Sequence, residues 1–162
     1  MTTVYEQNES KYLGLLRKGF SVKRLAQVMV EDQLDELQNR QCQVDQKTRA
    51  FVEKVVAFGA QELGIAAPRV LFFKSEGLQL EKGMETRGSF DREHPDEIWI
   101  ASDRPWYEQG ELALHELSHA SDAQGLISEE TTYADSERSA HRFMERGRQI
   151  GWVRSAMRAV GT

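Results

Sequence analysis

The sequence predicts an α+β domain, and three observations predict it: helical periodicity up to residue 64, a β-branched and aromatic texture from Pro68 to about residue 103, and helical periodicity again from Trp106. A length of 162 residues holds one proper core and is short for two, so residues 1–162 read as a single domain. With 40% hydrophobic and 29% charged residues and three prolines, the composition is that of an ordinary globular protein.

Each element has a local cause. "YLGLLRKGF" and "SVKRLAQVMVEDQLDELQ" place Val22, Leu25, Val28, Met29 and Leu37 at three-and-four spacing, with Ser21 as N-cap. "VDQKTRAFVEKVVAFGAQELG" repeats the pattern through Phe51, Val52, Val55, Val56 and Phe58, from a capping Asp45 to a stop at Gly64. Residues 1–64 therefore read as two or three helices. After Pro68, "RVLFFKSE", "GMETRGSFD" and "DEIWIASD" read as three strands. One helix follows from Trp106 to Gly125, then helical pattern from about Thr132 to near Val160, with Gly147 and Gly151 as possible breaks.

Several function classes are excluded early. The start, "MTTVYEQNES", has no apolar h-region and no later run approaches the roughly 20 apolar residues of a spanning helix, so the chain is expected to be cytoplasmic with no membrane partner. Cys42 is the only cysteine, which rules out an internal disulfide and a thiolate metal cluster; any metal site must use His, Asp or Glu. A net charge of -5 argues against indiscriminate nucleic-acid binding.

Within "ELALHELSHASDAQG", residues 111–125, His115 and His119 lie four apart and Glu116 directly follows the first. On a helix, positions i and i+4 stack with Cβ atoms about 5–6 Å apart, the geometry for two imidazoles to share a metal ion. Glu116, turned about 100° off that face, can reach a water on the metal without ligating it. This is the H-E-x-x-H pattern of zinc hydrolases: three protein ligands leave a position for water, and the glutamate takes its proton and delivers it to the leaving amine. The plainer reading is a surface helix with solvated histidines. Leu112, Leu114, Leu117 and Ala120 weigh against it, because they bury the helix and leave its polar groups in need of partners.

The third ligand must come from elsewhere. A metzincin would carry Gly and His three and six residues after His119, where this chain has Asp122 and Gly125. In "TTYADSERSAHRFM", Tyr133, Glu137, Ala140, His141 and Met144 share a face. If that face packs on the His115/His119 helix, Glu137 completes a His, His, Glu set, while His141 serves as a supporting group or as substitute ligand. Otherwise Glu137 pairs with Arg138, Arg142 or a lysine on a solvated face.

The stretches "GSFDREHPDEIWIASD", "ELALHELSHASD" and "ADSERSAHRFM" resemble the minimal gluzincins of the ImmA/IrrE family. There a G-F strand, an I-x-I strand and F-x-x-A-H-E-L-G-H precede a helix carrying E-x-E-A-N-x-F-A. The match covers about residues 68–145, and Glu137, Ala140 and Phe143 fall on the first Glu, the Ala and the Phe of the last motif. Ser118, Ser139 and His141 depart from the family's Gly, second Glu and Asn, no L-L-M-P follows Phe143, and Glu137 comes only 18 positions after His119. The resemblance implies a zincin-like fold: N-terminal helices, a small three-stranded sheet, the active-site helix and a following glutamate helix, with residues 68–145 as catalytic core. It also implies Zn2+ and a protein or peptide substrate, such as a regulator of the repressor kind.

Other features have two readings each. "EIWIA", residues 97–101, would form the cleft's upper rim and pair with extended substrate, with Trp99 as cleft wall or, preferably, core. Tyr133 and His94, with Arg138 and Arg142 behind them, are candidate oxyanion donors, though structural roles are favoured for each. From Arg138 onward six arginines face the single acid Glu145; internal pairing, including with the acidic "EDQLDEL" segment, is preferred over DNA binding for this stripe.

The sequence therefore predicts a zinc-dependent endopeptidase with zinc on His115, His119 and Glu137 and Glu116 as base and acid. The alternative is a non-catalytic, metal-stabilised protein-binding module on the same fold. A DNA-associated accessory protein is a third and less favoured reading. Oligomeric state and substrate identity are not legible.

Overall fold

Asp45 accepts a hydrogen bond from the Thr48 amide at 2.7 Å, and Gly64 ends the same helix in the left-handed region at φ 69°, so the buried stripe Phe51, Val52, Val55, Val56 is framed by caps at both ends. That helix, α4 (Gln46–Leu63), follows α1 (Val4–Gln7), α2 (Glu9–Arg17) and α3 (Val22–Asn39). The computed structural model describes residues 2–80, 83–126 and 133–161, and among them are seven helices and a small mixed sheet of four strands. Helix α5 (Trp106–Ser121) runs into a π-helical turn over Asp122–Leu126; α6 (Tyr133–Ile150) and α7 (Trp152–Val160) follow. The chain is thus α+β.

The sheet departs from the three expected strands. Its order is β1-β2-β4-β3, with β1 (Gln41–Cys42) antiparallel to β2 (Arg69–Phe73), β2 parallel to β4 (Glu97–Ala101), and β3 (Gly88–Ser89) antiparallel to β4. Two residues carry no readable alternation, which is why β1 left no signal in the sequence and why the expected strand over residues 83–91 shrinks to Gly88–Ser89. The topology also corrects the rim. Strand β4 lies inside the sheet, where β3 pairs with Trp99 and Ile100, so that part of "EIWIA" has no free edge and β3 is the terminal strand on that side.

Period-two alternation divides the sheet's side chains between two cores. Val70, Phe72, Ile98 and Ile100 face α4, α5, Phe143 of α6, and Val153 and Ala156 of α7. Phe73, Trp99 and Ala101 face Val4, Leu37 and Leu78 on the other side, so Trp99 is a core residue, 3% exposed, in keeping with the preferred reading. Val4 of α1 and Leu37 of α3 thus cover this second face, while α4 lies on the first. Lys11 and Tyr12 of α2 both meet Asp32 of α3, at 2.9 and 2.8 Å.

Helix α5 is anchored at its start. Trp106 stacks on Phe51, with centroids 5.0 Å apart and planes 6° off parallel, and its indole N–H donates to Thr48 Oγ1 at 3.0 Å. Gln109 Nε2 donates to the carbonyls of Ser102 and Arg104, tying the helix to the end of β4. Helix α6 lies close against α5: a Cβ placed on Gly147 would sit 2.5 Å from Leu114 Cδ1 and 2.8 Å from Trp152 Cε3. Of the two glycines expected as breaks, Gly147 is therefore a packing residue inside α6, and Gly151, at φ 89°, makes the break.

Among the described residues, three of the six arginines from Arg138 onward pair with acids within the chain, none of which lies in "EDQLDEL". Arg138 pairs with Asp135, Arg146 with Glu62, and Arg148 with Glu111 at 2.6 Å. Among the described residues no helix is long and apolar enough to cross a membrane.

Replacing Gly147 with alanine should raise intrinsic helix propensity by up to about 1 kcal/mol. The crowding against Leu114 and the rigid indole is expected to outweigh that gain, for a net loss of about 1–2 kcal/mol in chemical denaturation. An unchanged or raised stability would mean that α5 and α6 are free to separate.

Candidate metal centre

Helical spacing sets the site's first pair. One turn of α5 separates His115 from His119, whose rings lie 5.0 Å apart at 75°. Both are mostly buried, with side chains 14% and 13% exposed. Packing of α6 on α5 brings Glu137 to them: its Oε1 lies 3.3 Å from His115 Nε2 and 2.7 Å from His119 Nε2. Pairing of Glu137 with Arg138 or Arg142 on a solvated face is thereby ruled out, since Arg138 turns to Asp135 and Arg142 Nε donates to the Arg138 carbonyl.

His141 joins the group from the next turn of α6. Its ring lies 4.9 Å from that of His115, and its Nε2 is 3.8 Å from Glu137 Oε2. The donor atoms of His115, Glu137 and His141 all fall within 4.8 Å of one another, a group that could hold a metal ion. The carboxylate thus has a face for each side: Oε1 toward His115 and His119, Oε2 toward His141.

Electrostatics favour the protonation states of ligands. Burial lowers the pKa of His115 below the ordinary histidine value, against the pull of the Glu137 charge, so the imidazole tends to be neutral. For Glu137, burial raises the pKa, but the charges of His115 and His119 and their hydrogen bonds together hold it below the usual carboxylate value. An ionised carboxylate set among imidazoles is a donor set that a divalent cation can use.

Two residues that sequence reasoning did not select complete the arrangement around His119. Its Nδ1 lies 2.8 Å from Ser136 Oγ, and Ser136 donates to Asp122 Oδ2 at 2.6 Å. A carboxylate only accepts, so the serine proton goes to Asp122 and the serine oxygen accepts from His119 Nδ1–H. That orients the ring with Nε2 forward, toward Glu137 Oε1. A signal for Asp122 was present: positions 115, 119 and 122 lie on one helix face at i, i+4 and i+7. Ser136 carried none beyond its place before Glu137.

Glu116 turns away from the histidine face and into the protein, 7% exposed. Burial, and then the negative charge of Glu137, push its pKa up to about 8. Above it lies β3. A Cβ on Gly88 would stand 3.0 Å from Glu116 Oε1 and 3.1 Å from its Cγ, so the strand passes over the carboxyl closely only because residue 88 is glycine.

The proposed oxyanion donors fare differently. His94 is exposed and pairs with Asp91 Oδ2 at 2.9 Å in the turn before β4, apart from the histidine group. Arg138 and Arg142 are exposed and engaged as described. The side chain of Tyr133 lies outside the described residues.

The raised pKa of Glu116 has a stability consequence. Its folded value of about 8 exceeds the ordinary 4.5, so the stability tied to its protonated form is complete below about pH 4.5 and is lost as pH rises through 8. In chelator-treated protein, Glu116→Gln should gain on wild type across that window, with a slope no steeper than about 1.4 kcal/mol per pH unit. Parallel denaturation midpoints of the two proteins from pH 5 to 8 would show that the carboxyl is not buried as described. No family model matches this chain, and no curated protein or solved structure matches it, so the functional reading rests on the geometry of these side chains.

Proposed function

We propose that the chain is a zinc-dependent peptidase of the minimal gluzincin kind that its motifs resemble, with His115, His119 and Glu137 as ligands and Glu116 as the proton carrier. The observation that carries the reading is the convergence of Glu137 Oε1 on both imidazoles of the H-E-x-x-H helix, beside a buried glutamate that binds none of them. The donor set fits the ion: imidazole nitrogen and carboxylate oxygen suit zinc, and no thiolate is within the set. When bound, such an ion supplies a Lewis acid that polarises a carbonyl and acidifies water.

The chain's own residues do the rest. The Glu116 carboxylate accepts a proton from the attacking water and passes it to the amine that leaves. An ion held by the neighbouring imidazoles would favour the charged form of this carboxyl, against the burial and the Glu137 charge that raise its pKa. The outer edge of β3 offers main-chain groups to an extended peptide laid along it, beside the carboxyl over which Gly88 passes. The Ser136–Asp122 pair holds His119 with the correct nitrogen forward.

A second reading keeps the metal and drops the chemistry. His141 stands with His115 and Glu137 in a group that could hold a metal ion and that does not include His119; were all four side chains to ligate, the site would be closed and structural and would stabilise a binding module.

Metal analysis and one substitution separate these readings. Purified protein should contain about one equivalent of zinc, which a His115→Ala, His119→Ala double variant should lack. Glu137→Ala should cost more metal than His141→Ala. Glu116→Gln should keep its zinc but cleave a quenched peptide library about 10²–10⁴-fold more slowly than wild type. Zinc-free wild type, or full occupancy in the double variant, would remove the scheme; equal cleavage by Glu116→Gln would remove the peptidase.

A further inference from the structure

The four groups of the site are not held alike. His115 and His119 are 14% and 13% exposed, and His119 is pinned through Nδ1 by Ser136 and Asp122. The His141 side chain is 64% exposed, and among the described residues it meets the ring of His115 and Glu137 Oε2, at 3.8 Å, both on the site side. An exposed side chain changes rotamer on the picosecond-to-nanosecond scale, whereas the packed imidazoles are confined by their neighbours. Its reach to the site is nevertheless that of a ligand, because its donor atom and those of His115 and Glu137 all lie within 4.8 Å.

We propose that His141 is an exchangeable fourth ligand, a latch that occupies the remaining position of the ion at rest and swings out to admit an incoming oxygen donor. The inference rests on the zinc reading above and adds to it a regulated resting state. Three observations favour a latch over a permanent ligand or a supporting group. The ring is at the solvent-facing side of the cluster. It meets the oxygen of Glu137 that the other histidines leave free, so its departure breaks neither of their contacts. It also lies on α6 one turn beyond Glu137, so only side-chain rotation is needed to release it. The incoming donor is a carbonyl, hydroxamate or carboxylate oxygen, the class of group that competes with imidazole at a zinc-like ion.

The test uses the full chain labelled with 15N-histidine and loaded with cadmium-113 in place of zinc, with acetohydroxamate as the oxygen-donor probe. Scalar coupling between the metal and a ring nitrogen identifies each ligand. The expected result is coupling to His115, His119 and His141, with only the His141 coupling lost as hydroxamate is added. His141→Ala should show the remaining two from the start and bind zinc about 10–100-fold more weakly. Coupling to His115 and His119 alone in wild type would overturn the latch while leaving the metal centre standing. Retention of all three under saturating hydroxamate would overturn it in favour of a permanently closed site. Absence of any coupling would remove the metal reading itself, and the latch with it.

Discussion

The close packing of α6 on α5 is the constraint on which the site depends. Neither helix holds a complete donor set: α5 has two imidazoles and α6 a carboxylate and a third imidazole. They become one cluster because Gly147 lets α6 approach Leu114 and Trp152 without a side chain between, while Ala140 and Phe143 are buried on the same side of α6. The apolar contact brings the polar groups together, and the polar groups in turn need partners once drawn into a half-dry environment. Hydrophobic burial and charge pairing here act on the same few turns of helix.

Helix α5 could not play this part if it were loose. Its first turn is locked by the stacking of Trp106 on Phe51 and by the two carbonyl contacts of Gln109. From that fixed start, 3.6 residues per turn deliver His115 and His119 to one side and Glu116 to the sheet. The placement of the carboxyl under β3, with its raised pKa, is therefore a consequence of helix phase, while its burial reflects what the sheet lays over it.

Much of this was readable from residue order because it is local. Caps at Ser21, Asp45 and Gly64 and the stripe Phe51, Val52, Val55, Val56 obey short-range rules, and the structure has them where expected. The coincidence of His115, His119 and Glu137 was legible too, since a glutamate on an otherwise buried face needs a partner. What escaped depends on long-range pairing. The two residues of β1 become a strand only by meeting Phe72 and Phe73, and the interior position of β4 follows from β3 folding back beside it. The roles of Ser136 and Asp122 likewise arise from contact between side chains 14 positions apart, which no periodicity describes.

Gly88 leaves Glu116 roofed by main chain alone. A roof of peptide groups keeps the same composition whatever side chains flank it, so the polarity felt by the carboxyl is insulated from drift in the neighbouring strand. The proton affinity of the buried glutamate then answers to how closely that backbone passes and to the charge of Glu137, and any side chain at position 88 would lift the roof.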